Sequence, residues 1–232
     1  MRFETLDDAG AAAARGAALI AERLQRAVAA RGRATAAISG GHTPLPMLRR
    51  LAELPLPWAR IDVFQVDERI APDGHEDRNA THQRRALAPC VEAHGERFHW
   101  MPVTEAAPSD GAGEYAALLA ACAGSPPALD VVQLGLGEDG HTASLFGPTG
   151  AAEQVTGDVA VSGVHGGRRR MTLTLPVLNR AAFVLWLVTG ESKRGVLERF
   201  IDADSALVAV AVRRDRAYLI ADAAAAGRRP TM

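Results

Sequence analysis

The spacing of apolar positions changes several times along this chain. From Ala9 to Ala30, Leu19, Ile20, Leu24, Ala27 and Val28 recur at helical intervals, and Gly32 ends the pattern. Ala34 to Ile38 is a short apolar run that stops at SGGHTP, after which MLRRLAEL resumes helical spacing. Ile61 to Val66, IDVFQV, reads as a strand, followed by polar DERIAPDGHEDRN. NATHQRRALA reads as a helix with Asn79 at its N-cap. FHWMPV reads as a short strand, EYAALLAAC as a helix and Val131 to Leu134 as a strand. MTLTLPVLN and AAFVLWLVTG read as strands with a turn near Pro176 and Asn179. ESKRGVLERF reads as a helix and AYLIAD as a last strand, while Ser205 to Val212 fits either period.

Strands alternating with helices predict an α/β fold: a Rossmann-like, open, mostly parallel sheet with helices on both faces. There is no internal repeat. The Pro-, Gly- and Ala-rich stretches near 105–113 and 124–128 read as short loops, so residues 1–232 are expected to form a single domain. Ligands of such folds sit beyond the carboxyl ends of the strands. Four polar stretches follow candidate strands here: SGGHTP, DER, GEDGHT and TGESK. Their placement predicts one shared site.

Composition removes several alternatives. The 232 residues carry a formal net charge of −1, which argues against nucleic acid or an anionic membrane as partner. The two cysteines, Cys90 and Cys122, are too few for a disulfide framework and lack metal-ligand spacing. A reduced, cytoplasmic setting is expected. MRFETLDDAG does not read as a signal peptide, and no apolar run reaches the ~18 residues of a membrane helix.

The stretch DVVQLGLGEDGHTASLFGPTG holds the densest candidate chemistry. Gly135, Gly137 and Gly140 spell G-x-G-x-x-G after an apolar run, the outline of a dinucleotide-binding turn. That motif needs a long helix straight after the glycines, whereas HTASLF leaves barely two turns before GPTG. Glu138 and Asp139 would also repel a pyrophosphate. A catalytic loop fits better. Asp139 and His141 are one residue apart, so the carboxylate can orient an imidazole, and histidine is the usual proton acceptor near neutral pH. The plainer alternative is a capping Asp139 beside a surface His141.

Ser39, Gly40, Gly41, His42 and Thr43 form a second candidate, a nest of N–H groups for a single phosphate. An ordinary turn with Thr43 as N-cap and Pro44 at the first helical position is compatible with it. Lys193 in TGESK can add a point charge, or simply be solvated. Of Arg168, Arg169 and Arg170, the residue abutting the strand, Arg170, is the best placed to enter the site. Asp67, Glu68 and Arg69 can form a local ion pair; alternatively Arg69 holds a polar substrate while the acids shape the pocket.

ISGGHTPLPML, FQVDERIAPDGHEDRN, LGLGEDGHTASLF and RRRMTLTLPVLNRAAFVLWLVTGESKRGVLERF together resemble the 6-phosphogluconolactonase family, within the superfamily of the aminosugar-phosphate isomerases. The resemblance implies hydrolysis of 6-phospho-D-glucono-1,5-lactone in the pentose phosphate pathway, with neither cofactor nor metal. It places the general base at His141 and its supporting carboxylate at Asp139. It places phosphate and sugar contacts at Ser39–Thr43, Arg69, Arg170 and Lys193, with Asp67 and Asn79 counted among the substrate-binding residues. His42 stands where the family usually has serine, and Arg78 where it has serine before Asn79. The usual Leu-Pro-Ala step is missing from DSALVAVAVRRDRAYLIAD. Either a monomer or a homodimer is compatible with the resemblance. The competing readings are an aminosugar-6-phosphate deaminase or isomerase, and a non-catalytic sugar-phosphate sensor. A sensor should carry a DNA-binding segment or lack the histidine, and this chain does neither.

Overall fold

A computed structural model describes residues 1–103, 108–147 and 157–227. In chain order its strands and helices are β1 (Arg2–Leu6), α1 (Ala9–Arg31), β2 (Ala34–Ile38), α2 (Pro44–Glu53), β3 (Ile61–Gln65), β4 (Asp67–Arg69), α3 (Asn79–Ala86), α4 (Ala88–His94) and β5 (Phe98–His99). They continue with α5 (Pro108–Ala123), β6 (Val131–Leu134), β7 (Val159–His165), β8 (Arg168–Leu173), α6 (Leu175–Arg180), β9 (Val184–Val188), α7 (Arg194–Ile201), β10 (Ala217–Asp222) and α8 (Ala223–Ala226).

Seven strands pair in the order β1-β10-β9-β6-β2-β3-β5, every pair parallel. Alternate residues of the central strands feed two apolar clusters, one on each face. Leu185 and Leu187 of β9 join α1 and α2 on one side; Val184, Trp186 and Val188 join α5, α6 and α7 on the other. This is the two-residue period of a sheet covered on both faces. The expected open, mostly parallel sheet is present, with helices packed around it.

A second, antiparallel sheet, β4-β8-β7, was not legible in the pattern. It changes the reading of DER, which is the strand β4 and not a loop. Pro176 does not turn one strand into another. It lies in the first turn of α6, where its missing N–H costs nothing. Ser205–Val212 contains a single 3₁₀ turn, Val208–Ala211. Helix α5 starts at Pro108, inside the stretch expected to be a loop; residues 104–107 lie outside the described residues, as do 148–150 of GPTG.

Candidate active site

The carboxyl ends of β2, β3, β6 and β9 open into a cavity of about 310 Å³. It is lined by Ser39, Gly40, Gly41, His42 and Thr43 after β2, by Asp67 and Arg69 of β4, by Asn79, by Gly135–Gly137 and His141–Ala143 after β6, by Arg170 of β8, and by Lys193 after β9. Apart from Asp139, every residue expected in the site lines this one space. Asp139 stands directly behind His141.

The loop after β6 is tied to itself. Gly137 N–H donates to the His141 carbonyl at 2.8 Å, and Gly140 N–H to the Gly137 carbonyl at 3.0 Å. This folds Asp139 against His141: Oδ1 lies 2.5 Å from Nδ1 and accepts the His141 N–H at 3.1 Å. Burial pushes the Asp139 carboxyl up, but its bonds to His141 outweigh that and hold it below the ordinary carboxylate value. With Nδ1 facing the carboxylate, Nε2 is the nitrogen left for a ligand. Gly137 is required by contact: a Cβ there would stand 2.0 Å from His141 Nδ1. The segment after the loop forms a bridge between Thr142 and Leu145, and among the described residues no helix follows the glycines. The dinucleotide outline therefore lacks the element that would hold a pyrophosphate.

Among the described residues, the N–H groups of Gly40, Gly41, His42 and Thr43 donate to no other protein group. Ser39 differs from them. Its N–H and hydroxyl both bond to Gln133, at 3.1 and 2.9 Å, so it braces the loop to β6. Thr43 makes no side-chain cap; Pro44 does open α2. His42 is exposed, although it borders the cavity.

Asn79 is not an N-cap. It is the first helical residue of α3, and its Nδ2 donates to the Asp67 carbonyl at 2.9 Å. Its side chain lies so close to Gly40 that a Cβ there would come within 2.0 Å. The first-turn N–H groups of α3, buried and without partners inside the helix, are satisfied by a carboxylate from β4. Glu68, fully buried, accepts from Asn79 at 2.7 Å, Ala80 at 2.8 Å and Arg69 at 2.8 Å. The expected ion pair within Asp67-Glu68-Arg69 does not form. Glu68 pairs with buried Arg78 at 3.1 Å, so the arginine that replaces the family's serine neutralises the carboxylate beneath the pocket.

Asp67 is buried, accepts from Ser144 Oγ at 2.6 Å, and is pushed above the usual carboxylate value by burial, against the pull of Ser144 and Arg69. Arg168 pairs with Asp77 and Arg169 is exposed, so Arg170 alone of the three arginines lines the cavity. Two further residues stand beside His141 without any signal in the sequence: Phe146 and His165 stack at 3.8 Å, with Phe146 4.9 Å from the His141 ring. Phe146 comes from the segment after β6 and His165 from the end of β7, so no local spacing marks them.

Residues 7–220 match the family described as glucosamine-6-phosphate isomerases/6-phosphogluconolactonase. The chain belongs to this family. A 6-phosphogluconolactonase of Synechocystis sp. is 42% identical over 183 residues, covering 77% of this chain and 75% of that protein. One of Nostoc sp. is 39% identical over 198 residues, covering 84% and 82%. The crystal structure of a Thermotoga maritima 6-phosphogluconolactonase superposes with a TM-score of 0.84 at 24% identity, over 95% of this chain and 98% of that one, and shares the fold. Within the family, the His141 loop and the Ser39–Thr43 loop are the parts of this chain that converge on one cavity.

Proposed function

We propose that this chain hydrolyses 6-phospho-D-glucono-1,5-lactone to 6-phospho-D-gluconate, the reaction for which its relatives are named. The observation that carries the reading is the Asp139–His141 pair at 2.5 Å, beside a cavity that also holds unengaged loop N–H groups, Arg69, Arg170 and Lys193. A δ-lactone carbonyl is already electrophilic, so the site needs no covalent nucleophile. His141 Nε2 takes a proton from water, which attacks C1 and generates a tetrahedral oxyanion. The imidazolium then returns that proton to the departing ring oxygen. Asp139 stabilises the imidazolium and fixes its tautomer. General acid–base help of about 10²–10⁴-fold is adequate for so reactive an ester.

The Gly40–Thr43 N–H groups and Lys193 take the phosphate, and Arg69 and Arg170 take the remaining negative or polar oxygens. Phosphate binding far from C1 orients the lactone. We read residues 1–232 as one α/β domain of a cytoplasmic enzyme that acts on a small molecule and needs neither metal nor cofactor. No helix among the described residues is long and apolar enough to cross a membrane. The test is acid release from the phosphorylated and the unphosphorylated lactone, with spontaneous hydrolysis subtracted. A much higher kcat/KM for the phosphorylated lactone is expected; equal values would remove the phosphate assignment. Ammonia release from glucosamine 6-phosphate would instead favour the deaminase chemistry.

A further inference from the structure

A second group of chemistry-bearing side chains lies away from the His141 cavity. Asp62 is near the start of β3, His99 ends the edge strand β5, and Cys122 sits in the last turn of α5. His99 is the register partner of Phe64, and Asp62, two residues before Phe64, shares its face of the sheet. Helix α5 covers that face. The Tyr115 hydroxyl ties the helix to the sheet: it accepts from Gln65 N–H at 2.7 Å and donates to the His99 carbonyl at 3.0 Å. Cys122 lies seven residues further on, on the same side of the helix. The sheet and the anchored helix therefore deliver one carboxylate oxygen, one imidazole nitrogen and one thiol sulfur to a single point, all within 4.8 Å of one another.

We infer that Asp62, His99 and Cys122 form a binding site for a zinc-like divalent ion, joining the end of α5 to the sheet edge. An oxygen, a nitrogen and a sulfur donor together suit this borderline metal better than hard magnesium or calcium. Three protein ligands leave a fourth position for water. The donors stand on regular elements, not on a loose surface loop. Asp62 and His99 are largely buried, whereas Cys122 is partly open and borders a hollow of about 360 Å³ that gives an ion a way in. Asp62 and His99 Nε2 already aim at each other, 2.9 Å apart. The ion takes the place of the hydrogen bond between them: His99 binds through Nε2 with its ring proton moved to Nδ1, Asp62 binds as carboxylate, and Cys122 binds as thiolate, releasing its proton to solvent.

Arg97, 3.5 Å from Asp62, and Arg33, near Cys122, oppose a free cation. They do not oppose the assembled site, because a carboxylate and a thiolate neutralise a divalent ion. Arg97, partly exposed, also lies 3.9 Å from Glu96, which offers its guanidinium a second carboxylate once Asp62 binds the ion.

Cobalt(II) titration of the reduced, chelator-stripped full chain tests this. The expected result is a saturable near-ultraviolet thiolate-to-cobalt charge-transfer band, displaced by zinc. The group Asp139, His141 and His165 can also take up metal, but it has no sulfur and cannot give that band. Cys122→Ser should abolish the band, with circular dichroism unchanged. Asp62→Asn and His99→Gln should weaken cobalt binding by at least about tenfold, since even the outer partners of metal ligands carry that much. Zinc should raise the Tm of His141→Asn, in which the other group has lost its central ligand, but not that of the double variant His141→Asn, Cys122→Ser. Absence of the band, or its persistence in Cys122→Ser, would overturn the site; so would unchanged affinity in both Asp62→Asn and His99→Gln.

Discussion

Arg69 and Arg170 are direct cross-strand partners in the β4–β8 ladder, and both line the cavity. Burial lowers the Arg170 pKa from its usual value, and the neighbouring Arg69 lowers it further. Two guanidiniums so placed repel each other until an anion lies between them. Arg170→Ala is therefore expected to leave the Tm of the free protein level or slightly higher. It should weaken sulfate binding by about 10–100-fold, the equivalent of one charge-assisted contact. Thermal shifts measured against sulfate concentration check this. A lower Tm with an unchanged sulfate response would make Arg170 structural.

The glycine loop offers a matched pair of substitutions. At Gly137 a methyl group would meet His141 Nδ1 at 2.0 Å, whereas at Gly135 it would meet nothing within 4 Å. Gly135→Ala should keep nearly full kcat. Gly137→Ala should fold but displace the imidazole, with kcat falling by about 10²–10⁴-fold, the worth of the general base. Steady-state kinetics on the two purified variants decide it, and equal activity would detach the loop geometry from catalysis.

His42 departs from the family's usual serine, yet its side chain is exposed at the rim while its N–H belongs to the loop nest. His42→Ser should change KM by no more than about twofold, as expected of a surface substitution. KM–pH curves for the two proteins should superimpose. A KM for the wild type that diverges from the variant as pH rises would instead give the imidazole a charge-bearing contact with the phosphate.

The sequence pattern reveals elements whose environment is simple. β9, buried throughout, reads as an unbroken apolar run, and α1 reads as a helix because one side of it packs on the sheet. β1, RFETL, escapes because it is an edge strand with one buried residue, and β7 escapes because none of its residues is buried. The four polar stretches were legible because they follow apolar strands, although DER proved to be a strand itself. Their bracing was not. Ser39 meets Gln133 across 94 residues, and Glu68 reaches forward 11 residues to α3. Such contacts depend on strand order, which a linear pattern does not encode. Asn79 illustrates the consequence: its position resembles a cap, but Glu68 already fills that role.

Asp67 gives a dependence of stability on pH with a definite sign. Burial raises its carboxyl above the ordinary value of 3.8, so the folded chain keeps a proton that the unfolded chain has released. The group therefore costs stability as pH rises from the unfolded value through the folded one, and the cost is complete above it. Asp67→Asn removes the titration. Denaturant unfolding from about pH 4 to pH 7 should show the stability difference moving in the variant's favour as pH rises. A difference that does not vary with pH would mean that Asp67 is ionised like an exposed carboxylate.

The proposed mechanism stands on His141, oriented by Asp139, as the base in the hydrolysis of a phosphorylated lactone. The most direct measurement is acid release from 6-phospho-D-glucono-1,5-lactone by the wild type and by His141→Asn, with the spontaneous rate subtracted. The expected result is a folded variant whose kcat falls by about 10²–10⁴-fold while KM changes little, because the base acts in the transition state. Wild-type turnover in a folded His141→Asn protein would contradict it.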